Sequence, residues 1–157
     1  MGEILRALAS SFIGTFGFAL LLRTPRRAIL PASLIGMFAY FLYWVLLRAG
    51  LSDPMAVFVG ALIGSLLGQA CARKMHMIAT IFILLSIVPA VPGLGLYRFM
   101  ELLGSDRMAL GMEAGVAAMM SIAMIALGVG VGSFLFRLLA GRHAWRAAAK
   151  TTKDTSK

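Results

Sequence analysis

Five stretches of this chain contain no Asp, Glu, Lys or Arg and are mostly apolar. They are Ala7–Leu22, Ala28–Leu47, Met55–Ala72, Met77–Tyr97 and Ala114–Phe136. A helix needs about 20 residues, within a range of about 17–25, to cross the hydrocarbon core of a bilayer. The last four stretches meet that length. The first is extended by Ile4 and Leu5, and Arg6 and Arg23 flank it where their long stems can reach the headgroups. Lipid offers the backbone no water to bond, so each stretch must be a helix or part of a closed barrel. Long runs without strict alternation exclude the barrel. The expected fold is therefore all-α, a polytopic bundle of five transmembrane helices.

Composition agrees with that reading. The chain is 61% hydrophobic and 13% charged, against about 45–50% and about 25% in ordinary soluble domains. A soluble chain of 157 residues could not bury so much apolar surface. This excludes a soluble enzyme, a disulfide scaffold and a disordered segment. The formal charge of +9 then reads as basic loops of a membrane protein, with no nucleic-acid partner. Leu22 is followed by Arg-Thr-Pro-Arg-Arg, where a cleaved leader would carry small residues, so the first stretch is a retained span.

The loops set the orientation. Of the 15 Lys and Arg, Arg6, Arg48, Arg98 and Arg107 fall on one side and all others on the opposite side. The positive-inside rule puts the N-terminus outside and the C-terminus inside, which needs an odd number of spans. Residues 1–142 form the five-span membrane domain, and His143–Lys157 is a basic cytoplasmic tail, expected to be disordered. An alternative for the tail is attraction to anionic lipid, worth about 1 kcal/mol per basic residue near the surface.

Several features within the spans point to packing. Gly60, Gly64 and Gly68 lie on one helix face and let another backbone approach, within this chain or another. Gly128 and Gly132 mark a crowded crossing or a hinge in the fifth span. The 11 methionines read as adaptable apolar filler. Cys71 is alone, and Met75-His76-Met77 reads as a solvated His beside a basic pair, so no metal site is expected. The spans hold no catalytic constellation and no Asp or Glu for proton relay, and the chain has no Walker loop; neither an enzyme nor a cofactor is expected.

The segment that ends the fourth span is the most informative: Ser86-Ile-Val-Pro89-Ala-Val-Pro92-Gly93-Leu-Gly95-Leu-Tyr97. Each proline removes an N–H donor and clashes with the carbonyl four residues back. Two prolines followed by Gly-x-Gly cannot continue a plain helix, so the fourth helix breaks at Pro-Ala-Val-Pro-Gly-Leu-Gly. Broken helices in secondary transporters expose backbone groups that hold substrate. The alternative is a kinked helix that leaves the membrane with Tyr97 as an interfacial anchor. On the transporter reading the substrate-binding candidates are Pro89, Pro92, Gly93 and Gly95 through their backbone. Tyr97 and Ser86 are candidate hydrogen bonders, and Ser65 and Gln69 on the third span are further candidates.

Pro89-x-x-Pro92-Gly93-x-x-x-Tyr97 at the end of a hydrophobic span resembles the signature of the threonine/serine exporter family. Gly17-Phe18-Ala19, Pro25-x-Arg27-x-Ile29 and Ala72-Arg73-Lys74 resemble that family's first span, first basic loop and the turn before the fourth span. The likeness covers Gly14–Met100 and a compatible last span, with Met77 standing where a proline is expected. In split members of this family a larger membrane subunit supplies one half and a small C-terminal-half-type subunit the other. The resemblance implies the small subunit of a two-component secondary exporter in the bacterial inner membrane. Its substrates would be small polar metabolites, threonine and serine or a dicarboxylate such as succinate. The alternatives are a non-transporting assembly subunit and a small homo-oligomeric channel.

Overall fold

The computed structural model describes the backbone of residues 2–154 and the side chains of residues 4–139. The described elements are helices and their connections. In chain order they are α1 (Gly2–Leu21), α2 (Arg26–Arg48), α3 (Asp53–Met75), α4 (Ala79–Ile87), a 3-10 turn (Val88–Ala90), α5 (Gly93–Gly104) and α6 (Met108–Asp154). Four helices hold membrane-length apolar segments: Ile4–Leu21, Arg26–Arg48, Asp53–Met75 and Met108–Leu139. A fifth candidate, following α3, is a bent pair, Ala79–Ala90 and Gly93–Gly104, with 51° between its arms. The all-α polytopic bundle is therefore observed, and its fourth helix breaks where the prolines are. The tail expected from His143 onward lies outside the residues whose side chains are described.

The connections follow from backbone chemistry. α1, α2 and α3 each close with a backbone N–H reaching back five residues: Thr24 to Ala19, Leu51 to Leu46 and Met77 to Ala72. This closure needs a left-handed residue just past the helix, a place that suits glycine. Gly50 fills it after α2, but Arg23 and His76 fill it after α1 and α3. Charged or polar residues thus stand at the two turns of the basic end of the bundle.

α3 is the central helix, packed by α2, α4 and α6. Its glycine face turns to α2 and α4. A β-carbon added at Gly60 would sit 3.3 Å from the Ala39 carbonyl, and one at Gly68 3.2 Å from the Ile83 nitrogen. The Gly60/Gly64/Gly68 face is thus filled within the chain. The opposite face of α3 meets α6, where a β-carbon at Gly128 would lie 2.6 Å from the Phe58 carbonyl and one at Gly132 2.9 Å from the Leu62 carbonyl. Gly130, between them, meets nothing within 4 Å. Only a side chain of one hydrogen lets these two backbones touch, which is how membrane helices gain dispersion contact without a hydrophobic driving force.

The pairing of α3 with α6 also sets their relative level. Ser121 of α6 donates a hydrogen bond to Asp53 at the start of α3 (3.3 Å), and Tyr43 of α2 donates to the other carboxylate oxygen (2.7 Å). Arg48 lies over the Trp44 ring at 4.4 Å on the same end. α6 therefore continues past the end of α3, and Met108–Ser121 adds about 20 Å at 1.5 Å per residue. α5 packs antiparallel on that extension, with the Gly95 position against Ala118 and the Gly115 position against Phe99. Arg98–Glu113 is the end of α5, the turn at Asp106 and the start of α6.

Candidate functional site

The break lies at mid-depth. Gly64 is the midpoint of α3, about 16 Å from either end. A β-carbon there would sit 3.0 Å from Ser86 Oγ, so Ser86 marks the middle of the bundle. α4 has nine residues, which cover about 13 Å, roughly half a crossing. It ends one residue after Ser86, at Ile87, and the chain tightens into the 3-10 turn at Val88–Ala90. Val91 is extended, the Gly93 N–H bonds the Val91 carbonyl at 2.8 Å, and α5 starts at Gly93. Proline chemistry accounts for the sequence of events, because neither Pro89 nor Pro92 can donate to the preceding turn.

A cavity of about 270 Å³ opens beside this break. One wall is Val88 and Pro89; the others are Ser10, Ser11, Gly14 and Thr15 of α1 and Tyr40 of α2. Ser11 and Thr15 are one helical turn apart and share the inward face of α1. The Thr15 hydroxyl donates to the Ser11 carbonyl at 2.8 Å. The Ser11 residue is 7% exposed, yet its hydroxyl has no hydrogen-bond partner. An unmet buried hydroxyl costs about 1–3 kcal/mol. Ser10 and Gly14 are exposed, and nothing lies within 4 Å of a β-carbon at Gly14. Among the described residues, none of those lining the cavity carries a charge. The site thus offers hydroxyls and peptide groups to a small polar molecule. Its volume falls just under the range of about 300–1,000 Å³ usual for small-molecule sites.

The structure disperses the residues that the sequence singled out. Pro89 lines the cavity. Ser86 is buried, donates to the Ile83 carbonyl at 2.7 Å and packs on Gly64. Gly93 is exposed with open space around it, and Gly95 faces Ala118 of α6. Pro92 caps the start of α5. Tyr97 is 63% exposed on α5. Ser65 and Gln69 join a different place, the α3–α6 seam. There Gln69 Nε2 donates to Ser65 Oγ and Ser133 Oγ, both at 3.2 Å, and Ser65 donates to the Val129 carbonyl at 3.4 Å.

Sequence reasoning missed the α1 and α2 side of the cavity: Ser10, Ser11, Gly14, Thr15 and Tyr40. The spacing of Ser11 and Thr15 within an apolar span was the available signal. A larger cavity of about 700 Å³ lies between α5 and α6, lined by Leu96, Phe99, Met112, Val116, Met119 and Met120 among others. Its apolar walls offer a polar molecule nothing to bond.

Comparison with known proteins adds the remaining finding. The family profile described as Threonine/Serine exporter, ThrE matches residues 7–135. No solved structure matches the chain.

Proposed function

The chain belongs to the threonine/serine exporter family, and from that premise we propose that it is the small membrane subunit of a two-component secondary exporter, with the cavity at the break as its substrate site. The observation that carries this reading is the position of an uncharged, hydroxyl-lined cavity at the mid-depth interruption of a membrane helix. Irregular backbone at that depth is tolerated only where protein or a wet cavity covers it. Peptide groups released at Val88–Gly93, together with Ser11, Thr15 and Tyr40, would hold a small polar metabolite such as threonine, serine or a dicarboxylate.

The same observation supports a partner. A zwitterion or dianion needs counter-charges, and the described residues that line the cavity supply none. Its mouth runs past exposed Ser10 and Gly14, a surface where a second membrane helix could approach closely and complete the site. A larger membrane subunit would supply the charged groups and the titrating group of any proton coupling. With the basic loops facing the cytoplasm of a bacterial inner membrane, substrate would enter from the basic end and leave past α5.

Efflux from dipeptide-loaded cells tests the reading. Cells lacking the chain should retain threonine and serine, or a dicarboxylate, and regain efflux when the chain and its larger partner are both restored. Unchanged efflux of all three without the chain refutes it. Reconstituted chain that passes substrate alone would instead make it a channel. Pro92→Ala and Gly93→Leu should each abolish export at unchanged membrane abundance.

A further inference from the structure

A second cavity, of about 190 Å³, lies at the basic end of the bundle, away from the break. It is lined by Leu22, Arg23 and Thr24 of the α1–α2 turn and by Thr80, Ile81 and Leu84 of α4, among others. Three independent features converge on it. Arg23 occupies the left-handed closing position of α1, at φ 50°. Glycine takes that position freely, whereas another residue there costs about 1–2 kcal/mol. Thr24 is 7% exposed, and its hydroxyl is buried without a hydrogen-bond partner. α4 begins after Ile78, which gives its first turn no side-chain cap. The end of α4 that lines the cavity therefore carries partial positive charge and open N–H groups.

The surroundings select the ligand. Arg26 and Arg27 follow the turn, Arg73 and Lys74 precede α4, and neither Leu22–Arg27 nor Ala72–Leu84 contains an acid. This favours an oxyanion. The other wall is apolar, with Leu22 and Leu84 exposed at 44% and 40%. A small hydrophilic anion has no use for that wall, but an amphiphile does.

We propose that this cavity binds one anionic phospholipid, its phosphodiester against Arg23, Thr80 and the open end of α4, its acyl chains along Leu22 and Leu84. Thr24 lines the same cavity and would add its unmet hydroxyl as a further donor. The lipid bridges the α1–α2 turn to α4, the half-helix whose far end is the break. Occupancy would hold α4 at its depth. Binding itself does not rest on the exporter reading.

The test uses the purified full-length chain in mild detergent and native mass spectrometry with dioleoylphosphatidylglycerol or dioleoylphosphatidylcholine. The expected result is at least tenfold greater retention of the phosphatidylglycerol. Arg23→Gln with Thr24→Val should lower it to the phosphatidylcholine level. Thr80→Val alone should lower it several-fold, and Arg107→Gln, at the α5–α6 turn, should leave it unchanged. Thr24→Val removes an unmet hydroxyl, so helicity by circular dichroism should persist. Equal retention of both lipids, or the same loss with Arg107→Gln, overturns the proposal. So does displacement of the lipid by millimolar succinate or inorganic phosphate, which would mark a site for small solutes.

Discussion

The α3–α6 seam and the cavity at the break use the same kinds of residue for opposite ends. Both combine glycine with serine or threonine at depth in the bundle. In the seam, Gly128 and Gly132 press on the α3 backbone, and Ser65, Gln69 and Ser133 share hydrogen bonds among themselves. Beside the break, Gly14 presses on nothing and the Ser11 hydroxyl is unmet. A closed, satisfied network is scaffold, because substitution there leaves buried groups unpaired. An open, unsatisfied set keeps binding capacity in reserve. The contrast teaches that small and hydroxyl-bearing residues in a membrane span do not identify a site until their partners are known.

The largest expected difference is between two glycines. Gly128→Leu should remove the protein from the membrane fraction, since its first added carbon already lies 2.6 Å from the Phe58 carbonyl and overpacking costs about 1–3 kcal/mol or more. Gly14→Leu should leave abundance and melting temperature unchanged while lowering export at least tenfold, because the side chain fills the cavity mouth. Quantitative immunoblotting of membranes alongside efflux separates the two; equal abundance for both variants would erase the contrast.

A smaller effect sharpens it. Ser11→Ala should raise stability by about 1 kcal/mol, as an unmet buried hydroxyl is removed, yet lower export several-fold. A thermal shift in detergent read beside efflux checks this, and a fall in both would make Ser11 structural. The smallest effect is expected in the seam. Gln69→Leu should cost about 0.6 kcal/mol, the average for interhelical hydrogen bonds in membranes, and leave the KM for export in place. A raised KM would move Gln69 from scaffold to site.

Much of the fold was legible in the residues. Charge-free runs of span length reveal crossing helices, since lipid forces every backbone group to be satisfied locally. Pro89, Pro92 and Gly93 reveal a break for the same local reason: the missing donors and the ring clash act within one turn. The closures at Arg23 and His76 were not legible, because glycine is the usual signal and neither residue provides it. The candidate site was half legible. Pro89 lines the cavity, but Ser65 and Gln69 went to the seam and Ser86 to the α3–α4 contact. Their chemistry is the same in either place; only the neighbour differs.

What the sequence alone determined, then, is an all-α bundle of membrane-length helices, where one of them fails and which loops are basic, because lipid and proline act on the chain within a few residues. What only the tertiary structure decided is which helix faces the failure. Ser11, Thr15 and Tyr40 stand far from Pro89 along the chain, and contact between them depends on how α1 and α2 dock around α4. In a medium as apolar as the side chains themselves, that docking is set by shape and backbone approach, which no linear pattern records.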